Sequence, residues 1–265
     1  MAALRLGAGW RAHLRAAAEC APRRPRVPLA WDGQRIGSVE PDLFARAGVA
    51  GSPLLRRCEA QDGAWEVQGE LTPSLAQLAF VLRDRGLAHT WRDEQLAVRN
   101  EAGVPLGTVE RALARPLGIA TQAVHLVATD PRGCHWVQQR AFDKPTDPGL
   151  WDTLVGGLVP ASDSLDEALA RETWEEAGLR LAQVQGLRHG GRLLTRRPFR
   201  ELAHGYVVEF IDWYACTLPA GVAPANQDGE VAGFGCMPPA EVEALLAREG
   251  FTIDASLVLL AAFGS

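Results

Sequence analysis

The segment GGLVPASDSLDEALARETWEEAGL (156–179) constrains this chain more than any other. Ser164 followed three residues later by Glu167 is a capping box, which predicts a helix starting near Leu165. Gly178 is placed to end it in a left-handed conformation. The helix so defined has about thirteen residues, and at about 100° per residue the side-chain directions follow. With Glu172 at 0°, Glu176 falls at about +40° and Glu175 at about −60°. Leu165, Ala168 and Leu169 fall at about +20°, −40° and +60°. Three carboxylates therefore continue the same face that the apolar residues turn toward the protein body.

A solvated acidic face belongs opposite the apolar stripe, and this one coincides with it. Acids in the last turn also oppose the helix macrodipole, which favours cations there. Like charges at i, i+3 and i+4 cost a few tenths of a kcal/mol per pair, roughly. A sequence that accepts both penalties is expected to neutralise the charge, and hard oxygen donors imply Mg²⁺, with Mn²⁺ as the alternative ion.

The spacing has a known counterpart. Gly157, Asp163, Arg171, Glu172, Glu175, Glu176, Gly178 and Leu179 follow the Nudix box, G-x5-E-x7-R-E-U-x-E-E-x-G-U, so the segment resembles a Nudix hydrolase. Two positions depart: Asp163 stands for the usual Glu, and Thr173 for a bulky aliphatic residue. Neither touches the R-E-x2-E-E core. The resemblance implies that Glu172, Glu175 and Glu176 hold one or more divalent ions, helped by a backbone carbonyl of Gly156 or Gly157. It implies that Arg171 orients those carboxylates, and that Asp163 braces the loop and its arginine. An acid outside the box often completes such a site or serves as base, and Glu230, after the Asp228-Gly229 turn, is the candidate. Glu175, Glu176, Arg171 and Glu230 are thus the expected catalytic set. The implied chemistry is water attack on a diphosphate phosphorus.

Flanking segments carry the resemblance further. VERALARPLGIATQAVHLVA (109–128), RAFDKPTDPGLWDTLVGG (140–157) and the LP…PANQDGEV stretch (218–231) look like the branch with an extra N-terminal domain, which includes Nudix regions fused to thiamine pyrophosphokinase. Members of that branch are associated with hydrolysing thiamine diphosphate and its oxo- and oxy- analogues to monophosphates. Another nucleoside diphosphate derivative is the alternative substrate, and a non-catalytic binding protein the third reading. Of 27 basic residues, Lys144 is the one lysine. Alone, Arg140 and Lys144 read as a solvated surface pair; beside this resemblance they read as substrate phosphate contacts. Asp152 is placed with them as a substrate-binding residue that contacts a ring amine or caps a turn. Trp136, Trp151 and Trp213 read as core residues rather than stacking platforms, and His125, His135, His189 and His204 as structural.

The rest of the sequence sets limits. With 265 residues there is length for one large or two ordinary domains. A net charge of −5 argues against a nucleic-acid partner, and no apolar run approaches a membrane span. The expected partner is a small-molecule diphosphate, with a homodimer left open. Five well-separated cysteines lack metal or redox spacing, which fits a reducing cytoplasm. MAALRLGAGWRAHLRAAAEC resembles a transit peptide in its arginines, but Trp10, Leu14 and Ala17 recur at the spacing of a docked helix.

The expected fold is α/β (α+β), a Nudix α/β/α sandwich with a mixed sheet (117–265) preceded by a small α/β N-terminal domain (1–116). In the first part, helices are expected at 4–19, 75–87 and within 109–118, a strand pair at 28–39, and a strand at 96–99. In the second, a hairpin at 121–142 and strands at 151–159, 191–218 and 229–237 precede helices opened by Pro238-Pro239 and at 254–263.

Overall fold

Alternating apolar residues make both parts of the chain sheet-forming, and each sheet is buried under its own helices. The structure is a computed structural model that describes residues 3–58 and 63–264. Met1 and Ala2 of the expected N-terminal helix region lie outside the described residues. Helix α1 spans Ala8–Ala18. Strands β1 (Val27–Trp31) and β2 (Gln34–Val39) form the expected pair about the Asp32-Gly33 turn. The single helical turn α2 (Leu43–Arg46) follows, then β3 (Leu55–Cys58) and β4 (Ala64–Val67), giving a four-stranded sheet in the order β2-β1-β4-β3.

Helix α3 runs from Leu71 to Asp84. It begins four residues before the expected start because Thr72-Pro73 lies inside its first turn, where proline's missing donor costs nothing. Leu71, Leu75, Leu78 and Leu82 share its buried face and close the first core. A ribbon of β5 (Gln95–Arg99) and β6 (Pro105–Glu110) adds Leu96, Val98 and Val109. The helix expected within 109–118 is reduced to one turn, α4 (Arg111–Ala114). Glu110 is still extended and caps the Ala112 amide, and Pro116 follows too soon for further turns.

The second sheet is mixed. Strand β7 (Thr121–Thr129) pairs along its length with a later strand in parallel, and its other edge carries a fork. Strand β8 (His135–Arg140) pairs with β7 only at Ala128↔Trp136 and Thr129↔His135, so the expected hairpin opens after two pairs. Into the gap come β9 (Trp151–Asp152), paired to β8, and β10 (Val155–Leu158), paired to β7. Helix α5 (Leu165–Ala177) follows, then β11 (Gln185–Pro198) and β12 (Tyr206–Thr217), the parallel neighbour of β7. Strand β13 (Val231–Met237) edges β8, and α6 (Pro239–Ala247) and α7 (Ile253–Phe263) end the described chain.

The sheet is covered on both faces. Val124, Leu126, Ala128, Tyr214 and Cys216 pack with α5, whereas Val127, Ile211, Trp213 and Ala215 pack with α6 and α7. This is the expected α/β/α arrangement, with the expected small α/β region before it. The first helix belongs to the second core. Leu4 is buried there, its backbone bonded to Phe263, and Trp10 Nε1 donates to the Leu246 carbonyl at 2.9 Å. The β-bridge of Leu4 with Gly264 holds residues before Ala8 extended, which explains the late helix start.

Polar contacts join the two cores. Arg26 donates to the Ser38 hydroxyl and to the carbonyls of Pro116 and His204. Ala161 N donates to the Gln95 carbonyl at 2.7 Å, tying the β5–β6 ribbon to the loop before α5. Arg115 donates to the buried Glu209 carboxylate at 2.5 Å, and Thr121 Oγ1 adds a bond at 2.6 Å. Removing Arg115 strands that charge, so Arg115→Ala should cost about 3–5 kcal/mol in urea denaturation, and pairing it with Glu209→Leu should recover much of the loss.

Candidate active site

Helix α5 forms as expected. The Ser164–Glu167 capping box is present, and Gly178 ends the helix at φ 63°. The face computed from spacing alone is reproduced as a gradient of exposure. Side-chain exposure is 3% for Glu176, 13% for Glu172 and 41% for Glu175, the carboxylate farthest round the helix. Thr173 is buried and bonds the Leu169 carbonyl, so its departure from the motif is absorbed in packing.

Glu176 lies in the fork of the sheet. Its Oε2 accepts from Gln138 Nε2 of β8 at 2.8 Å and from the Gly156 amide of β10 at 2.9 Å. Its Oε1 faces the Lys144 ammonium at 3.9 Å. Burial pushes the Glu176 carboxyl up to about 8, against the opposing pull of Lys144. Burial likewise raises Glu172 to about 7, despite Arg171. Gly157 is required by close approach, because a Cβ there would lie 2.1 Å from the Glu172 carboxyl carbon. At Gly156 it is the amide that reaches the site acids, through Glu176.

Arg171 gathers the remaining acids. It donates to Asp163 at 3.0 Å and to Glu172 and Glu175 at 2.9 Å each. The shorter Asp163 therefore still braces the arginine. Lys144 bonds Glu230 closely as well as facing Glu176, and its side chain is only 10% exposed. Burial pushes Glu230 up, but the bond and charge of Lys144 outweigh it and its carboxyl ends below its ordinary value. Arg140 donates twice to the Thr146 carbonyl, at 2.9 and 3.2 Å, and approaches Asp152 at 3.4 Å. Asp152 caps the Thr153 amide at 2.8 Å. Arg140 and Lys144 are thus not a solvated surface pair.

The three helix glutamates, Glu230, Asp152, Asp163, Arg140, Lys144 and Arg171 line one cavity of about 590 Å³. Its wall also includes residues that the motif does not mark: His89, Arg92, Glu94 and Arg111 from the N-terminal region, Arg197 at the end of β11 and Phe199 just after it. None of the eight tryptophans lines it, and Trp136, Trp151 and Trp213 pack into the cores as expected. His125 lines the cavity but is held by Thr153 at 2.9 Å. The donor set is all oxygen, partly dehydrated and backed by fixed hydrogen bonds, which fits a hard divalent cation.

Two cysteines described as well separated in sequence meet elsewhere. Ligand atoms of Asp130, Cys134 and Cys236 lie within 4.8 Å of one another, because β13 pairs with β8 beside the β7–β8 turn. The Asp130 oxygens accept from the Arg132 and Cys134 amides, so this carboxylate builds the turn.

A comparison with known families agrees with this geometry. The NUDIX domain profile matches residues 120–257, just over half of the chain. This protein belongs to the Nudix family. It is 30% identical over 202 residues to Nudix hydrolase 20, chloroplastic, of Arabidopsis thaliana, covering 71% of this chain and 51% of that protein. Nudix hydrolase 24, chloroplastic, of the same plant is 30% identical over 208 residues, covering 72% and 53%. The chain thus spans about half the length of these curated relatives. Among solved structures, DR0079 from Deinococcus radiodurans aligns with a TM-score of 0.51 at 19% identity, covering 63% of this chain and 97% of that one, a likeness of fold. No helix among the described residues is long and apolar enough to cross a membrane.

The raised Glu176 carboxyl has a testable sign. Its folded value lies above its ordinary 4.5, so the folded metal-free protein holds a proton that the unfolded chain releases. Stability from this group is full below about pH 4.5 and is lost as pH rises toward 8. In chelator, Glu176→Gln should therefore melt near the wild type at pH 5 and above it at pH 8.5, by on the order of 5 °C. Equal melting temperatures at both pH values would contradict the burial of this acid.

Proposed function

We propose that this protein is a Mg²⁺-dependent diphosphohydrolase, also served by Mn²⁺, that acts on thiamine diphosphate and its oxo- and oxy- analogues to give the monophosphate and phosphate. The observation that carries the hydrolase reading is the clustering of Glu172, Glu175 and Glu176 with Glu230, Lys144 and Arg140 on one cavity. The substrate reading rests on the flanking segments 109–128, 140–157 and 218–231, which resemble the thiamine-linked branch. A cavity of about 590 Å³ also accommodates other nucleoside diphosphate derivatives, which form the second reading.

In this reading Glu172, Glu175 and Glu176 hold the metal. When bound, the cation lowers the pKa of the attacking water and neutralises phosphate oxygens. Arg171 keeps Glu172 and Glu175 aligned, and the Gly156 amide and Gln138 fix Glu176. Glu230, held ionised by Lys144, is the proposed proton acceptor for the water. Water oxygen bonds to phosphorus, the bridging P–O bond breaks, and the monophosphate leaves with the electron pair. In this reading Arg140 and Lys144 contact phosphate oxygens, and Asp152, on the cavity wall, is the proposed acceptor for a ring amine. The five cysteines are all free, in keeping with a cytoplasmic protein, and no role for nucleic acid or membrane enters this reading. A homodimer would leave the proposed chemistry within one chain.

The test is phosphate release with Mg²⁺ on thiamine diphosphate, its oxo- and oxy- analogues, ADP-ribose and nucleoside triphosphates. A preference for the thiamine compounds is expected, and activity confined to nucleotides would replace that substrate. Glu176→Gln should lower turnover by roughly a hundredfold or more while keeping the fold. Arg140→Ala should raise KM by about tenfold, and unchanged kinetics would remove Arg140 from the phosphate site.

A further inference from the structure

The open end of the β5–β6 ribbon, opposite its connecting turn, brings two arginines to the proposed site. Gln95 pairs with Glu110, and the Arg111 amide donates to the Glu94 carbonyl at 2.9 Å, so residues 92–94 and 110–112 share one end. Buried Glu110 locks that end by accepting from the Arg92 amide at 3.0 Å and the Ala112 amide at 3.4 Å. The ribbon is itself bonded to the loop before α5 through Ala161 and the Leu96↔Pro160 bridge. Arg92 and Arg111 are therefore held at set positions relative to the glutamates.

Both side chains line the cavity and remain partly open to it. Arg111 bonds Glu94 at 2.6 Å, which makes Glu94 a positioning residue. Arg92 lies 3.9 Å from Glu230, the acid that Lys144 already bonds. Glu230 is thus shared, bonded closely by Lys144 and only approached by Arg92, so the Arg92 guanidinium has no close acid of its own. The charge of Arg111 is also felt at Glu172 and Glu230. An anion entering between this wall and α5 meets two guanidinium forks and an ammonium, a set suited to phosphate.

We propose that Arg92 and Arg111, with Lys144, form a phosphate subsite for the terminal phosphoryl group of the substrate, so that the N-terminal region is a working wall of the active site. This rests on the diphosphohydrolase reading for the identity of the ligand, and on the cavity geometry for the residues.

The experiment is calorimetric titration with methylenediphosphonate, a non-hydrolysable diphosphate, in the presence of Mg²⁺. Arg92→Ala and Arg111→Ala should each weaken binding by about tenfold, and the double variant by more. Arg111→Lys should restore part of the loss, since it keeps the charge without the fork. Glu94→Gln should weaken binding by loosening Arg111. Mn²⁺ affinity, read from the paramagnetic resonance of the free ion, should stay within about twofold, and circular dichroism should confirm the fold. Wild-type affinity in the double variant, or no binding by the wild type, overturns the subsite. Arginine-dependent binding together with no hydrolysis of any diphosphate overturns the hydrolase reading and leaves the subsite standing.

Discussion

Much of this structure turns on one buried carboxylate. Glu176 sits where β8 and β10 diverge from β7, and it accepts one bond from each side of the split. A buried carboxyl is tolerable only with such partners, so the fork and the acid depend on each other. The Gly156-Gly157 pair lets the strand approach the helix closely enough for this. A side chain at Gly157 would displace the Glu172 carboxylate. The acids are thereby dehydrated and held at set positions before any ligand arrives. That is the preorganisation which electrostatic catalysis requires.

The N-terminal region is bound into this arrangement rather than merely appended. Arg26, Arg115 and the β5–β6 ribbon each cross from the first core to the second. The first helix packs against α7 and bonds the end of α6, so it shares a layer with the last helices of the described residues. The cavity inherits walls from both cores, with the α5 glutamates on one side and residues such as Arg111 on the other. Acids and bases alternate around it, and the site glutamates and Asp152 each have a cation nearby. Lys144 is central to that balance because it lies between Glu176 and Glu230.

Much of the proposed site was legible because its residues lie close in sequence on one helix. The capping box, the helix end at Gly178 and the turn of the three glutamates toward the apolar face all follow from local spacing. Glu230 was reachable only through family resemblance, since no spacing links it to α5. Arg92 and Arg111 were not singled out as site residues, because arginines flanking a short ribbon look like any solvated charges. The single turn at 111–114 was overextended for a related reason. Its sequence has helical propensity, whereas Glu110 and Pro116 restrict it to one turn.

By itself the sequence determined the composition and spacing of the acidic helix, the alternation of the strands and the family to which the chain belongs. These are local properties, governed by backbone periodicity and by side chains within a few residues of one another. Tertiary structure alone decided that the β7–β8 hairpin opens into a fork, that Lys144 bridges two acids, and that the ribbon's arginines face the cavity. Those outcomes depend on pairing between segments tens of residues apart. The register and burial of such pairs are set by the packing of the whole chain, not by any one stretch of it.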